Sequence, residues 1–292
     1  MAKFNSLGSN WTFNQSLQAL TFQKKSLVKK SEQELYFYKG REALRAALRK
    51  LDLLPKSRVA ITGFTCLAVY EAIIWENLVP VLIDVDETLN LDFAKLKTRI
   101  QQGKIEAVII QNTFGFTVRQ MSELQVLLKR NRIPLVEDNA HAFGAEYDNG
   151  KKVGEVGAMA IFSASQDKAL DSVAGGILVV NDKKLQKKAE KIATLPVPKK
   201  QQLKDRFYPL LAWTIRQTYD FGLGKLLHFF YKKAGWLSQP MTYEKEGGFQ
   251  ELPAWQFALL KIRMKVANQA KKERRQRIFW YQENLPKENF FW

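Results

Sequence analysis

The sequence predicts an α/β domain in which a mostly parallel sheet lies between two layers of helices. Short apolar segments alternate with segments of helical periodicity from about residue 40 to residue 138. The apolar segments are nearly continuous, as strands buried on both faces are. The links between them are short, which suits repeated βα units wound to both sides of one sheet. The chain has 292 residues, 46% of them hydrophobic, with 19 Phe and 7 Trp. That is enough for one large domain plus a smaller piece, and it argues against a disordered chain.

Residues 1–33 are polar and aperiodic and read as an arm. After Tyr36-Phe37-Tyr38-Lys39-Gly40, residues Ala43, Leu44, Ala47, Leu48 and Leu51 recur at helical spacing, so an amphipathic helix opens after Gly40. Strands are expected over 58–62, 79–85, 105–111 and 133–138, with helices over 66–77, 92–102 and 119–130 between them. Beyond His141 the pattern changes. Residues 158–164 and 175–180 read as strands flanking a polar loop that holds Lys168, and 183–193 as a basic helix. Pro196 and Pro198 mark 195–200 as a linker. Residues 207–237 are rich in aromatics with scattered cations, and 253–280 form a long basic helix carrying the run KKERRQR, 271–277. The plan is therefore an arm over 1–33, a large α/β domain over 34–195, an aromatic and basic insert over 196–250, and a long basic helix opening a shortened C-terminal domain over 251–292.

The net charge of +17 is uneven. From residue 183 onward 23 Lys and Arg face 9 Asp and Glu, against a balance of only +3 before it. A basic half suits phosphates, nucleotides, anionic lipid or nucleic acid, or else a solvated surface. The single cysteine, Cys66, excludes an intrachain disulfide, and without a CxxC pair no metal is expected. A reducing cytoplasm fits. Residues 1–15 lack an apolar signal core and no run of about 18 uncharged apolar residues occurs, so neither secretion nor a spanning helix is expected.

Ligands in open α/β sheets sit beyond the carboxyl ends of the strands. The predicted strand 133–138 runs into Asp138-Asn139-Ala140-His141. A carboxylate at a buried strand end is costly unless a cation or donor meets it, and a pyridinium nitrogen would do so. A helix N-cap is the plain alternative. Lys168 lies between two apolar strands, with Ser163 five residues upstream and Gly175-Gly176 downstream. A lysine held in an apolar site can serve as a Schiff-base amine, and glycines allow close approach of a ring or phosphate. Taken alone, Lys168 reads better as an exposed loop lysine. Together, the acid, the amine and the phosphate donors are what pyridoxal phosphate (PLP) requires.

Seven segments in order carry a resemblance: GREALRAAL (40–48), FTCLAVYEAI (64–73), PVLIDVD (80–86), NTFG (112–115), VEDNAHAFGAEYDNGKKVG (136–154), FSASQDK (162–168) and AGGILVVND (174–182). The chain resembles the DegT/DnrJ-type sugar aminotransferases, which have the PLP fold type I architecture of aspartate aminotransferase. The likeness is clearest over 40–182 and weaker to about 277. It implies a mostly parallel, seven-stranded-type sheet between helices, with a reduced or truncated C-terminal small domain. It also implies that Lys168 is the Schiff-base lysine, that Asp138 keeps the pyridinium protonated, and that His141 lies by the ring hydroxyl. Ser163 would bind phosphate, and Gly40 and Arg41 would open the helix that cradles it. Thr65 and Cys66 would flank the cofactor ring; where relatives often stack an aromatic, this chain has Cys66, so either Phe64 stacks on the ring or the site is less enclosed. Arg41 stands where relatives commonly have a small hydroxyl residue, and a guanidinium can bind phosphate bidentately. Where relatives have an Asn-containing turn reaching the partner subunit's phosphate, this chain has 247–256, with Gln250 the nearest polar candidate.

The activity implied is amino transfer from an amino acid, glutamate by expectation, to a nucleotide-linked keto-sugar in amino-sugar or surface polysaccharide biosynthesis. The expected unit is a cytoplasmic homodimer. Dehydratases of this family typically replace the lysine, so Lys168 argues against that alternative. The retained Lys168, Asp138, His141 and Ser163 argue against a non-catalytic relative. Residues 207–237 read either as an interfacial helix pair on the inner face of an anionic membrane or as an insert packed on its own domain or on a dimer partner. His228 reads as a packed histidine. The 271–277 cluster reads as a solvated face or a contact with substrate phosphates, and nucleic-acid binding is not expected.

Overall fold

The computed structural model describes residues 10–21, 33–189, 192–237 and 247–285. In chain order these form α1 (Phe13–Thr21), β1 (Glu34–Phe37), α2 (Gly40–Lys50), β2 (Arg58–Thr62), α3 (Leu67–Ile74), β3 (Val79–Ile83), α4 (Phe93–Gln101), β4 (Ala107–Gln111) and α5 (Met121–Asn131). There follow β5 (Leu135–Asp138), β6 (Met159–Ser163), β7 (Gly176–Val180), α6 (Lys183–Ala189), β8 (Leu195–Pro196), α7 (Lys199–Gln217), α8 (Leu223–Lys233), β9 (Gln250–Glu251) and α9 (Ala254–Asn284).

The described strands make one sheet in the order β3-β2-β4-β5-β6-β7-β1-β9-β8. From β3 to β6 all neighbours are parallel. β7 and β1 then run antiparallel to their neighbours, which completes the expected mostly parallel seven-stranded unit. The two-residue strands β9 and β8 lengthen the β1 edge. Side chains alternate across a strand, so each central strand feeds two cores. Val59, Ile61, Ala107, Ile109 and Val136 face α2 and α3. Ala60, Val108, Ile110 and Leu135 face α4 and α5. This two-sided burial is why the strands read as continuous apolar runs.

Three segments differ from the sequence expectation. Within the predicted arm, residues 13–21 are helical. Gln15 N–H donates to Thr12 Oγ1 at 3.3 Å while Thr12 N–H donates to Gln15 Oε1 at 3.1 Å, a capping box that holds the start of α1. Trp11 and Ala19 are buried against Tyr208 of α7 and Trp255 of α9, and that burial supplies what local periodicity lacked. Residues 1–9 and 22–32 of the arm lie outside the described residues. In the 195–200 linker, Leu195–Pro196 pairs with β9 and Pro198 caps the 19-residue α7. β1 has no counterpart among the expected strands; its four residues are too short to show a period, and their sheet partners lie more than a hundred positions away.

Candidate active site

β6 ends at Ser163, and residues 164–175 loop back into β7. Backbone bonds tie this loop to itself: Lys168 N–H donates to Ser165 O at 3.0 Å and Ser172 N–H to Ala164 O at 2.9 Å. Leu170 and Val173 are buried against Leu260 and Trp255 of α9. The loop is therefore held from below, and its lysine is placed by packing as well as by turns. The Lys168 side chain is only 14% exposed, with Nζ 3.2 Å from Asp167 Oδ2. The same Nζ lies 2.8 Å from His141 Nε2. Burial and the adjacent Lys168 charge hold the His141 pKa below its usual value.

Asp138 closes β5 and is buried, 4% exposed. Its Oδ1 accepts the Ala140 N–H at 3.0 Å. Burial pushes its pKa up to about 6, against the opposing pull of that N–H and of Lys168. The neighbouring Glu137 points to the other side of the sheet. Its carboxylate accepts Tyr147 OH at 2.8 Å and the amides of Gly154, Val156 and Gly157 at 2.7, 2.8 and 2.6 Å.

The third component is the start of α2. Lys39 is extended and its side chain does not cap the helix. Gly40 packs on Ser163 so closely that a Cβ on the glycine would stand 3.1 Å from Ser163 Oγ. Ser163 Oγ is in turn 3.2 Å from Ser165 Oγ. Uncapped helix amides beside two hydroxyls make a donor cup for an anion. The glycine pair expected to admit a ring or phosphate has a different use. A Cβ on Gly176 would fall 2.1 Å from Lys39 O, so this glycine lets the α2 entry lie directly against β7.

These groups share one cavity of roughly 100 Å³, bordered by Gly40, Arg41, Cys66, Asp138, Ser163 and Lys168, with His141 among the other lining residues. Arg41 reaches it with its guanidinium engaged by the buried Glu71 at 2.9 Å and stacked over Trp75 at 5.3 Å. Phe64 and Thr65 do not border the cavity. Phe64 meets Phe114 edge-on at 6.3 Å, and Phe114 stacks on the His141 ring at 5.5 Å and 12°. Thr65 donates to Gln111 Oε1 at 2.6 Å. Gln250 lies apart, on β9, where it borders a second cavity with Lys39 and Arg41.

Sequence reasoning missed Gln111, Ser165 and Asp167, which also line the cavity, and Phe114 over the histidine. Gln111 carried the signal that singled out Asp138, a polar residue at the carboxyl end of an apolar strand. Phe114 lies in the NTFG segment that carries the resemblance, but nothing there singled out its ring: it adopts a left-handed φ of 54° in a turn where glycine would be the ordinary choice.

The DegT/DnrJ/EryC1/StrS aminotransferase family model matches residues 32–289. The chain is 33% identical over 155 residues to a pleiotropic regulatory protein of Geobacillus stearothermophilus, covering 52% of this chain and 41% of that one. It is 32% identical over 173 residues to the L-glutamine:2-deoxy-scyllo-inosose aminotransferase of Streptoalloteichus tenebrarius, covering 56% and 40% respectively. The chain thus spans about two-fifths of the length of these curated relatives. Among solved structures, the Helicobacter pylori aminotransferase PseC superposes with a TM-score of 0.60 at 18% identity, covering 91% of this chain and 64% of its own, a likeness of fold. With the match running through nearly the whole sheet and α9, this chain belongs to the DegT/DnrJ/EryC1/StrS aminotransferase family.

Proposed function

We propose that the chain is a PLP-dependent aminotransferase that passes an amino group from an amino acid to a keto-sugar. The observation that carries this reading is the convergence of a held amine, a buried acid and an anion cup on one cavity. The residues fit the cofactor. Lys168 Nζ would hold the aldehyde carbon. Asp138, already inclined to share a proton, would face the ring nitrogen, and the α2 amides with Ser163 and Ser165 would take the phosphate. When bound, PLP supplies an electron sink and a carrier for the amino group. His141 orients the Lys168 amine through its Nε2, and Lys168 is the base placed to take and return the substrate proton. Cys66, Val69 and Ile161 also border the cavity, and their apolar surfaces would limit water there.

The acceptor in this reading is a nucleotide-linked keto-sugar, supported by Lys39 beside the adjoining cavity. The donor is glutamate, the pathway amino-sugar or surface polysaccharide synthesis, and the working unit a cytoplasmic homodimer. The test is an absorption spectrum of purified protein with PLP, for wild type and Lys168→Ala, before and after borohydride. A violet-region band that borohydride converts into a covalent adduct on Lys168 is expected, and glutamate should bleach it. Identical, bandless spectra for both proteins would overturn the assignment.

A further inference from the structure

α8 has two apolar faces, and the fold uses one. On a 3.6-residue turn, Gly224, Leu227 and Tyr231 share a face. Gly224 is buried so tightly that a Cβ would fall 2.3 Å from Ile215 O of α7, and Leu227 and Tyr231 pack on the cluster built by α1, α7 and α9. This close approach sets the rotation of the helix. The other face carries Leu223, Leu226, Phe229 and Phe230, which are 50%, 52%, 59% and 55% exposed, and Phe221 in the preceding turn is 83% exposed. The rotation that seats the first face therefore turns the second into solvent.

The charges on α8 itself have one sign, with the exposed Asp220 lying just before Phe221. Lys225, Lys232 and Lys233 are exposed along its border, with Lys233 Nζ 5.9 Å over the Phe229 ring. No Asp or Glu occurs from 221 to 237. Trp236, just beyond the helix, is also exposed. A second copy of this face is a poor occupant, because a two-fold interface would set lysines against lysines around the apolar patch. An anionic bilayer surface complements both parts, with acyl chains under the rings and headgroup phosphates at the lysines. No helix among the described residues is long and apolar enough to cross a membrane, so such contact lies in the interfacial plane.

We propose that the exposed Phe221–Phe230 face of α8, with its lysine border, docks the protein peripherally on an anionic lipid surface. This inference is independent of the catalytic reading, and its test needs no activity. The full chain is floated with vesicles of phosphatidylcholine alone and with vesicles of equimolar phosphatidylcholine and phosphatidylglycerol. Recovery with the anionic vesicles only, weakening as salt rises, is expected. Lys225→Gln, Lys232→Gln and Lys233→Gln combined should lower partitioning roughly a hundredfold, about fivefold per lysine. Phe229→Ser with Phe230→Ser should abolish it, and because these rings are exposed, the circular dichroism melting curve of either variant should match wild type. Absent flotation, flotation on both vesicle types alike, or flotation that survives both variants overturns the proposal. So does a sedimentation profile in which the phenylalanine variant converts a dimer to a monomer, since that makes the face a subunit interface.

Discussion

Glu137 and Asp138 are consecutive, both buried, and opposite in use. Strand alternation sends Glu137 to one side of the sheet, where four donors meet its two oxygens. Asp138 goes to the other side and borders the cavity, with the Ala140 N–H as its hydrogen bond among the described residues. A buried carboxylate with its lone pairs filled ties structure together; Glu137 anchors the 145–157 segment to β5. A buried carboxylate with few donors stores an unfavourable charge that a cationic ligand relieves. The difference between a structural acid and a functional one is therefore visible in donor count.

The largest expected effect breaks the structural half of this comparison. Glu137→Ala strands three amides and the Tyr147 hydroxyl, and at roughly 1 kcal/mol or more for each, unfolding in urea should reveal a loss of at least about 4 kcal/mol. A variant as stable as wild type would show that donor count does not separate the two acids.

Asp138→Asn probes the functional half. The Asp138 carboxyl is raised from 3.8 to about 6 in the folded chain. Between these values the folded state holds a proton that the unfolded state has lost, so this group's contribution to stability falls as pH rises from about 4 to about 6, by roughly 3 kcal/mol. Without cofactor, Asp138→Asn should lack that decline, seen as a difference between the two proteins' unfolding midpoints across the window. Its affinity for PLP should drop roughly 10- to 100-fold, measured by fluorescence titration. Parallel pH profiles for the two proteins would remove Asp138 from the comparison.

Ser163→Ala is the smallest perturbation. It takes one hydroxyl from the anion cup, so PLP affinity should fall about tenfold while the melting midpoint stays near wild type. A stability loss as large as that of Glu137→Ala would assign Ser163 to structure instead.

Much of the site was legible because its chemistry lies in short, ordered segments. Asp138, His141, Ser163 and Lys168 were each singled out from the sequence, and the fold brings all four to one cavity. Legibility failed where a partner is distant in sequence. The engagement of Arg41 by Glu71, 30 positions on, gives its guanidinium a carboxylate partner, and Arg41 alone suggested a free phosphate clamp. Gly176 was read as room for a ligand, whereas its neighbour is the backbone of Lys39. The candidate stacking ring, Phe64, instead meets Phe114, whose left-handed turn no propensity would have indicated.

By itself the sequence determined the alternation of strands and helices, the two-sided burial of the sheet and the amine–acid–hydroxyl set. All of these are encoded in periodicity and residue type within a few positions. Tertiary structure alone decided that Glu137 is filled and Asp138 is not, that α1 folds onto α7 and α9, and that α8 turns a second apolar face to solvent. Each of those outcomes depends on which distant donors, rings and backbone atoms arrive beside a residue, and a one-dimensional pattern carries no record of them.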